Sequence, residues 1–476
     1  MKYPIRSLVS AAVVAVIATQ AQAGSFSLYT EGAGYASGNY AAGAAAEARD
    51  ASTGWYNPAG LALLKNKQVV LGGVGVFPRS DVTGTTRYST IINPNLPPIS
   101  YTQTVQDLQG ADSGFVPSFH LAYPLEDNRT TLGLSVVAPF GLATDWGTAS
   151  PVRYAATYTD LMTVDVSPEI GYKLTEDFLV GAGVDIEYAK VKFNRMLGSP
   201  ALLGFLGQNQ FFYDSLSYNK GDSWGVGFHA GIMKLFNDNH TRIGLNYQSQ
   251  VRQKFNGWSE LRGPLATEGA NIFAFDTNPS ATFKNNSLTS NPIDLPDLAT
   301  LSIYQDINDK LAILGSVIYT GWGSIDTIQL NGVAVPAISQ AGVITHSTAS
   351  SSSELNYRNA WRASLGLNYT VNDKLMVRVG GGFDQTPTVD AYRDLRVPDV
   401  NRWALAVGAH YQVRSDIGVD VGYTHLFAAD DILVNKTEAI GTTSSYNVNV
   451  TGSGCANLVG AQLVWTIDNP MPMPTK

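Results

Sequence analysis

Of 476 residues only one, Cys455, is a cysteine, so no intramolecular disulfide can form and the fold must rest on hydrogen-bonded ladders and packing. Charge is scarce as well. Asp, Glu, Lys and Arg make up 15% of the chain, and 31 basic against 39 acidic side chains leave a formal net charge of -8. That balance lacks the basic character a nucleic-acid partner requires. Long apolar runs are missing beyond the first two dozen residues, and no stretch that is both apolar and uncharged approaches the roughly 20 residues of a membrane-spanning helix.

The residues of catalysis are equally sparse. His120, His229, His240, His346, His410 and His425 show no metal-ligand spacing, and no phosphate-cradling glycine loop occurs. Gly221-Asp222-Ser223-Trp224-Gly225 has the spelling of a nucleophile elbow, but a strand pattern follows where that motif needs a helix. The sequence is therefore read as non-enzymatic, with no cofactor and no metal.

The start of the chain has the layout of a secretory signal. Lys2 and Arg6 precede the apolar run from Leu8 to Ala18, and Ala21-Gln22-Ala23 places cleavage between Ala23 and Gly24. The mature chain is then exported without a helical anchor.

What the chain does have is 46 Gly, 23 Tyr, 8 Trp and, after the signal segment, a strict alternation of apolar and small or polar residues. Trp403, Leu405, Val407, Ala409, Tyr411 and Val413 alternate with Ala404, Ala406, Gly408, His410 and Gln412, and residues 417–423, 361–369 and 243–247 repeat the pattern. Such strands face two different solvents. A soluble sandwich would also alternate, but Tyr or Trp closes many of these strands, as an aromatic girdle at a bilayer interface requires.

Compact Asn/Asp turns near 125–128, 175–177, 237–239, 307–309, 371–373 and 414–416 separate longer connections such as 78–114 and 257–296, read as irregular loops. Short turns on one side and long loops on the other are the asymmetry of an outer-membrane barrel, and six short turns imply fourteen strands if both termini are periplasmic. The expected fold is thus all-β: a fourteen-stranded antiparallel transmembrane barrel occupying 67–468, after a signal peptide (1–23), with a periplasmic tail at 469–476. A barrel that wide encloses a cavity. Residues 24–66, rich in Ala, Gly and Ser, with a helix-like stretch at 41–51, do not alternate and are the expected plug, or hatch, inside it.

Asn57-Pro58-Ala59-Gly60, at the end of that segment, resembles the hatch motif of the FadL family of outer-membrane long-chain fatty-acid transporters. Pro139-Phe140-Gly141-Leu142-Ala143-Thr144-Asp145-Trp146, Arg153-Tyr154, Leu295-Pro296-Asp297 and Arg396-Val397-Pro398-Asp399 with Arg402 extend the resemblance over the mature chain. The resemblance implies capture of hydrophobic ligands on outer loops, transfer to an internal pocket, movement of the hatch at Asn57, Pro58 and Ala59, and lateral exit at a kink in the third strand. That kink falls on Ala138, Pro139, Phe140 and Gly141. Pro139 cannot donate to a ladder and Gly141 lacks a side chain, so an interruption there has its own physical reason; the alternative is the plain end of the strand.

The outer groove is expected from Leu202, Leu203, Phe205, Leu206, Phe211 and Phe212, an apolar concentration that either binds ligand or packs a loop core. By resemblance Arg195 aligns with a basic residue near the ligand carboxylate, against the alternative of a rim arginine facing lipopolysaccharide phosphate. The family's second basic residue falls on the serine run Ser350 to Ser353, a departure from the pattern. Expected partners are long-chain fatty acids or other hydrophobic molecules, outer-membrane lipid and lipopolysaccharide, with the barrel working as a monomer in a Gram-negative outer membrane. An aromatic-hydrocarbon channel of the same family, a general porin, and a surface receptor or adhesin are the competing functions.

Overall fold

The computed structural model describes residues 26–467; the expected signal-cleavage site and the expected tail at 469–476 lie outside them. Fourteen antiparallel strands close into a barrel. They are β1 (Gln68–Thr90), β2 (Gly114–Pro124), β3 (Thr130–Val137), β4 (Tyr158–Thr175), β5 (Phe178–Leu197), β6 (Ser215–Phe236) and β7 (Thr241–Gln248). The second half comprises β8 (Leu298–Asp306), β9 (Leu311–Thr320), β10 (Ala360–Thr370), β11 (Leu375–Asp384), β12 (Arg402–Arg414), β13 (Ile417–Ala428) and β14 (Ser444–Thr466). Closure is made by β1 on β14, in register from Gln68 opposite Thr466 to Thr90 opposite Ser444. A closed barrel leaves no unpaired edge, which is what a sheet in hydrocarbon must achieve.

Two solvents explain the alternation. On β12, Trp403, Leu405, Val407, Tyr411 and Val413 are exposed to the outside while Ala404 and Ala406 are buried; on β13, Val421, Tyr423 and Phe427 point out and Asp420, Thr424 and Leu426 point in. Trp224, Trp361 and Trp403 mark an upper aromatic band, and Tyr123, Tyr369, Tyr411 and Trp465 a lower one near the short turns. From Trp403 to Tyr411 a tilted strand climbs roughly 20 Å, the depth of an apolar membrane band.

Several strands depart from the sequence reading. Beyond the bilayer the wall continues as ribbons instead of irregular loops: β1 runs on past Phe77 to Thr90 and pairs there with Ile99–Gln109. Asn256–Arg262 pairs with Thr282–Ser290, Thr327–Ile338 with Ile344–Glu354, and Ile432–Ile440 with β14, which starts at Ser444. β9 stops at Thr320, because Gly321-Trp322-Gly323 turns inward and buries the Trp322 ring.

The barrel is filled by residues 26–64. Glycines on the inner wall make the room: a Cβ at Gly422 would lie 2.5 Å from Gly38 N, and one at Gly460 2.3 Å from Gly34 O. Polar wall residues then satisfy the inserted backbone. Gln462 accepts from Tyr35 N–H (3.2 Å), Ser316 from Gly43 N–H (2.8 Å) and Ser302 from Ala45 N–H (3.2 Å), while Gln462 Nε2 donates to Asp50 and Asn368 Nδ2 to Glu47, each at 2.9 Å. The helix expected over 41–51 is only one turn, α1 (Ala44–Glu47), before Ala48 swings to φ 49 and α2 (Thr53–Tyr56) follows. Arg242 on the wall takes the Glu47 carbonyl that a longer helix would have used.

Candidate functional site

The third strand is interrupted where Pro139 stands. β3 ends at Val137, opposite Asp165 of β4, and the chain rejoins β4 as Gly141–Asp145, with Gly141 opposite Met162. Four residues of one strand thus span three of the other. On the second side, the ladder between β2 and β3 runs from Pro124 only as far as Phe119, opposite Val136. Thr163 of β4 holds the excursion: its Oγ accepts from Phe140 N–H at 2.9 Å and donates to Phe140 O at 2.7 Å.

From the lumen, the start of the inserted segment covers this break. Leu28 N–H donates to Pro139 O and Gly141 N–H to Phe26 O, both at 2.8 Å, making an antiparallel bridge between Ser27 and Phe140. The Phe26 ring meets Trp322 edge-on at 4.4 Å between centroids, and Phe140 meets Trp322 at 6.0 Å. One contiguous buried apolar cluster extends from Phe26, Phe140 and Trp322 through Tyr357 to Leu355 and Val397, with Phe193 and Ile328 packed against it.

Phe193, Ile328, Leu355 and Val397 also line a cavity of about 710 Å³, counting its space open to solvent, together with Leu330, Val333, Ser351, Ser352 and Ser353. Its polar end carries Arg195 and Arg396. The serine run thus lies in the pocket, but the second guanidinium comes from the loop before β12. Between the two arginines stands Glu438, 3.4 Å from Arg195 Nη1 and 3.2 Å from Arg396 Nη1.

Arg396 is held rigidly. Its Nη2 donates to Ala155 O at 2.7 Å and its Nη1 lies 3.0 Å from Asp394. Burial raises the Asp394 carboxyl, but Arg396 and Lys436, the latter 3.2 Å away, outweigh it and hold the group at about 2. The sequence motif around Arg396 was legible; its role as a wall of this pocket was not, since Glu438 lies 42 residues further on.

The apolar outer residues divide. In α3 (Pro200–Phe205), Leu203 is buried with Tyr213, Leu261 and Leu265, so it belongs to a loop core instead of an open groove; Leu202 is half-buried. Phe205 is 65% exposed, and Leu206, Phe211 and Phe212 are exposed beside it in sequence. Phe211 lies under the Arg153 guanidinium at 4.2 Å and meets Tyr101 at 5.9 Å. Arg153 Nε is 2.7 Å from Asp214, and Tyr154 donates to the same carboxylate at 2.6 Å, which anchors the loop.

Asn57, fully buried, ties the inserted segment to itself and to the wall. Its Nδ2 donates to Ala45 O (2.7 Å) and to Ile232 O on β6 (3.1 Å), and its Oδ1 caps Ala59 N–H at 3.1 Å. Pro58 lies against Gly181, where a Cβ would come within 2.3 Å of it. Among the described residues no His, Cys, Asp and Glu group is arranged to hold a metal ion.

Residues 14–466 match the family model described as outer membrane protein transport protein (OMPP1/FadL/TodX). The long-chain fatty acid transport protein of Salmonella typhi is 28% identical over 426 residues, covering 87% of this chain and 90% of the relative. Outer membrane protein P1 of Haemophilus influenzae is 28% identical over 456 residues, covering 89% and 91%. Among solved structures, a Pseudomonas aeruginosa FadL homologue superposes with a TM-score of 0.74 at 22% identity, covering 94% of this chain and all 100% of the other. The Ralstonia pickettii toluene transporter TbuX gives 0.59 at 18% identity, covering 93% and 100%. The chain belongs to the FadL/TodX family of outer-membrane transport proteins, and is with them a passive transporter of hydrophobic compounds in a Gram-negative outer membrane.

Proposed function

We propose that the protein carries long-chain fatty acids across the outer membrane. Ligand lands on the exposed loop residues Phe205, Leu206, Phe211 and Phe212, moves into the cavity at Arg195, and leaves sideways at Ala138, Pro139, Phe140 and Gly141 after the inserted segment shifts about Asn57, Pro58 and Ala59. The observation that supports this most is the single apolar cluster from the pocket lining at Phe193 and Val397 to Phe26 and Phe140 at the break. A molecule leaving water for that path gains by burying its chain and needs no coupled energy source. The two guanidiniums suit its carboxylate, because a charge-assisted pair offsets part of the cost of desolvating it. The long-chain fatty acid transport protein of Salmonella typhi is a relative over most of its length.

A second reading rests on Glu438, which already supplies a carboxylate to both arginines. A pocket neutralised in this way also accepts an uncharged aromatic hydrocarbon. Uptake of labelled oleate and labelled toluene by cells lacking their own transporters distinguishes the two. Oleate uptake by the parent that falls in Arg195→Ala, at matched surface levels, supports the fatty-acid reading; toluene uptake alone, unaffected by Arg195→Ala, supports the hydrocarbon channel.

A further inference from the structure

On the outside of the barrel, β5 and β6 change character above the upper aromatic band. Up to that level their outward residues are apolar and exposed, with Val184 opposite Phe228 and Ile186 opposite Val226. Tyr188 and Trp224 follow, 5.1 Å apart between ring centroids. The next outward positions are Lys190 opposite Asp222, then Lys192 directly opposite Lys220. Lys220 in turn faces Trp258, whose ring lies 4.3 Å from Lys284 Nζ. Four lysines therefore sit on neighbouring strands of a chain whose net charge is -8.

Like charges directly opposite on paired strands destabilise the sheet unless an anion lies between them. Carboxylates offset this patch only in part. Asp160 pairs with Lys192 at 3.0 Å and Glu260 with Arg262 at 2.7 Å, whereas Lys190 and Lys220 have no carboxylate in salt-bridge range among the described residues. The height of Lys190, Lys192 and Lys220, one or two outward positions above the aromatic band, is that of headgroups, and Lys284, opposite Glu260, stands one position higher.

We propose that Lys190, Lys192, Lys220 and Lys284 bind the phosphate groups of the glycolipid of the outer leaflet, lipid A, with Tyr188 and Trp224 at the boundary where its acyl chains begin. The ammonium groups supply charge-assisted hydrogen bonds to phosphate, and the apolar wall beneath takes the acyl chains.

Native mass spectrometry of the full-length, detergent-solubilised barrel tests this with bisphosphorylated lipid A and with the same lipid stripped of both phosphates. The parent is expected to retain the phosphorylated lipid at least tenfold better, and Lys190→Gln/Lys192→Gln/Lys220→Gln to lose that preference. Lys310→Gln/Lys374→Gln, at the short-turn end, keeps it. Lys220→Gln alone, expected to weaken the preference several-fold, provides the test should the triple variant fail to fold. Equal retention of the two lipids by the parent, or a preference that persists without these lysines, overturns the proposal.

Discussion

The carbonyl of Phe26 accepts the Gly141 N–H at 2.8 Å, tying the start of the lumen-filling segment to the point where the third strand resumes. The same residue places its ring on Trp322, so its backbone ties the break while its side chain caps the apolar cluster behind it. Replacing it by Ala keeps the backbone hydrogen bond and removes the ring. Phe26→Ala is expected to raise uptake of hydrophobic ligand several-fold at equal surface expression; an unchanged rate would mean that Phe26 does not obstruct the path.

Arg195 and Glu438 make opposite predictions. Losing a charge-assisted contact to a carboxylate costs about 1.5–3 kcal/mol, roughly ten- to a hundredfold in affinity. Arg195→Ala should weaken binding of a fluorescent fatty acid to the purified protein by that order. Glu438→Gln, which frees both guanidiniums of their resident carboxylate, should tighten it, and neither change should alter binding of an uncharged hydrocarbon by more than about twofold. Calorimetric titration of the three proteins with both ligands checks the set.

Asn57 joins α1, the Ala59 N–H and the β6 backbone in one buried side chain. Asn57→Ala strands these partners inside the barrel, where each unsatisfied group costs about 1–3 kcal/mol. The barrel itself should still fold. The inserted segment should loosen, seen as faster amide exchange across 44–59 and as measurable ion conductance in planar bilayers.

Asp394 gives a pH dependence. Its folded value of about 2 lies below the ordinary carboxylate range, so it contributes stability that is complete above about pH 4 and is lost as the pH falls toward 2. The contribution is on the order of 2 kcal/mol. Thermal unfolding of parent and Asp394→Asn should therefore differ at pH 6 and converge near pH 2; a constant gap across that range contradicts the assignment.

The barrel was legible because lipid and lumen impose period two on each strand, as on β12 from Trp403 to Val413, and because Asn/Asp turns mark one end. Where the wall leaves the bilayer the outward face meets water instead of lipid and loses its apolar residues, while on the other face of Arg79–Thr90 only Val82 and Tyr88 are apolar and buried, too few to mark the strand by alternation. The stretch from Arg79 to Thr90, full of Ser, Thr and Arg, therefore reads as a loop although it is a continuous strand. The alanines at 41–51 suggest a helix by propensity, yet the confined lumen and the Arg242 contact at Glu47 cut it to one turn. Trp322 carried a weaker signal: flanking glycines at 321 and 323 allow the chain to leave the wall, but nothing local says that it turns inward. The meeting of Arg195, Arg396 and Glu438 comes from three distant segments, which only barrel closure brings together.

The most direct test of lateral exit uses the bridge between Ser27 and Phe140. Their positions form a non-hydrogen-bonded antiparallel pair, whose Cα separation of about 4.5 Å suits a disulfide. Ser27→Cys/Phe140→Cys in a Cys455→Ser background is to be assayed for labelled oleate uptake, oxidised and then reduced, in cells lacking other transporters. Uptake blocked in the oxidised form and restored on reduction is the predicted result; equal uptake in both states would show that ligand does not leave through the break in the third strand.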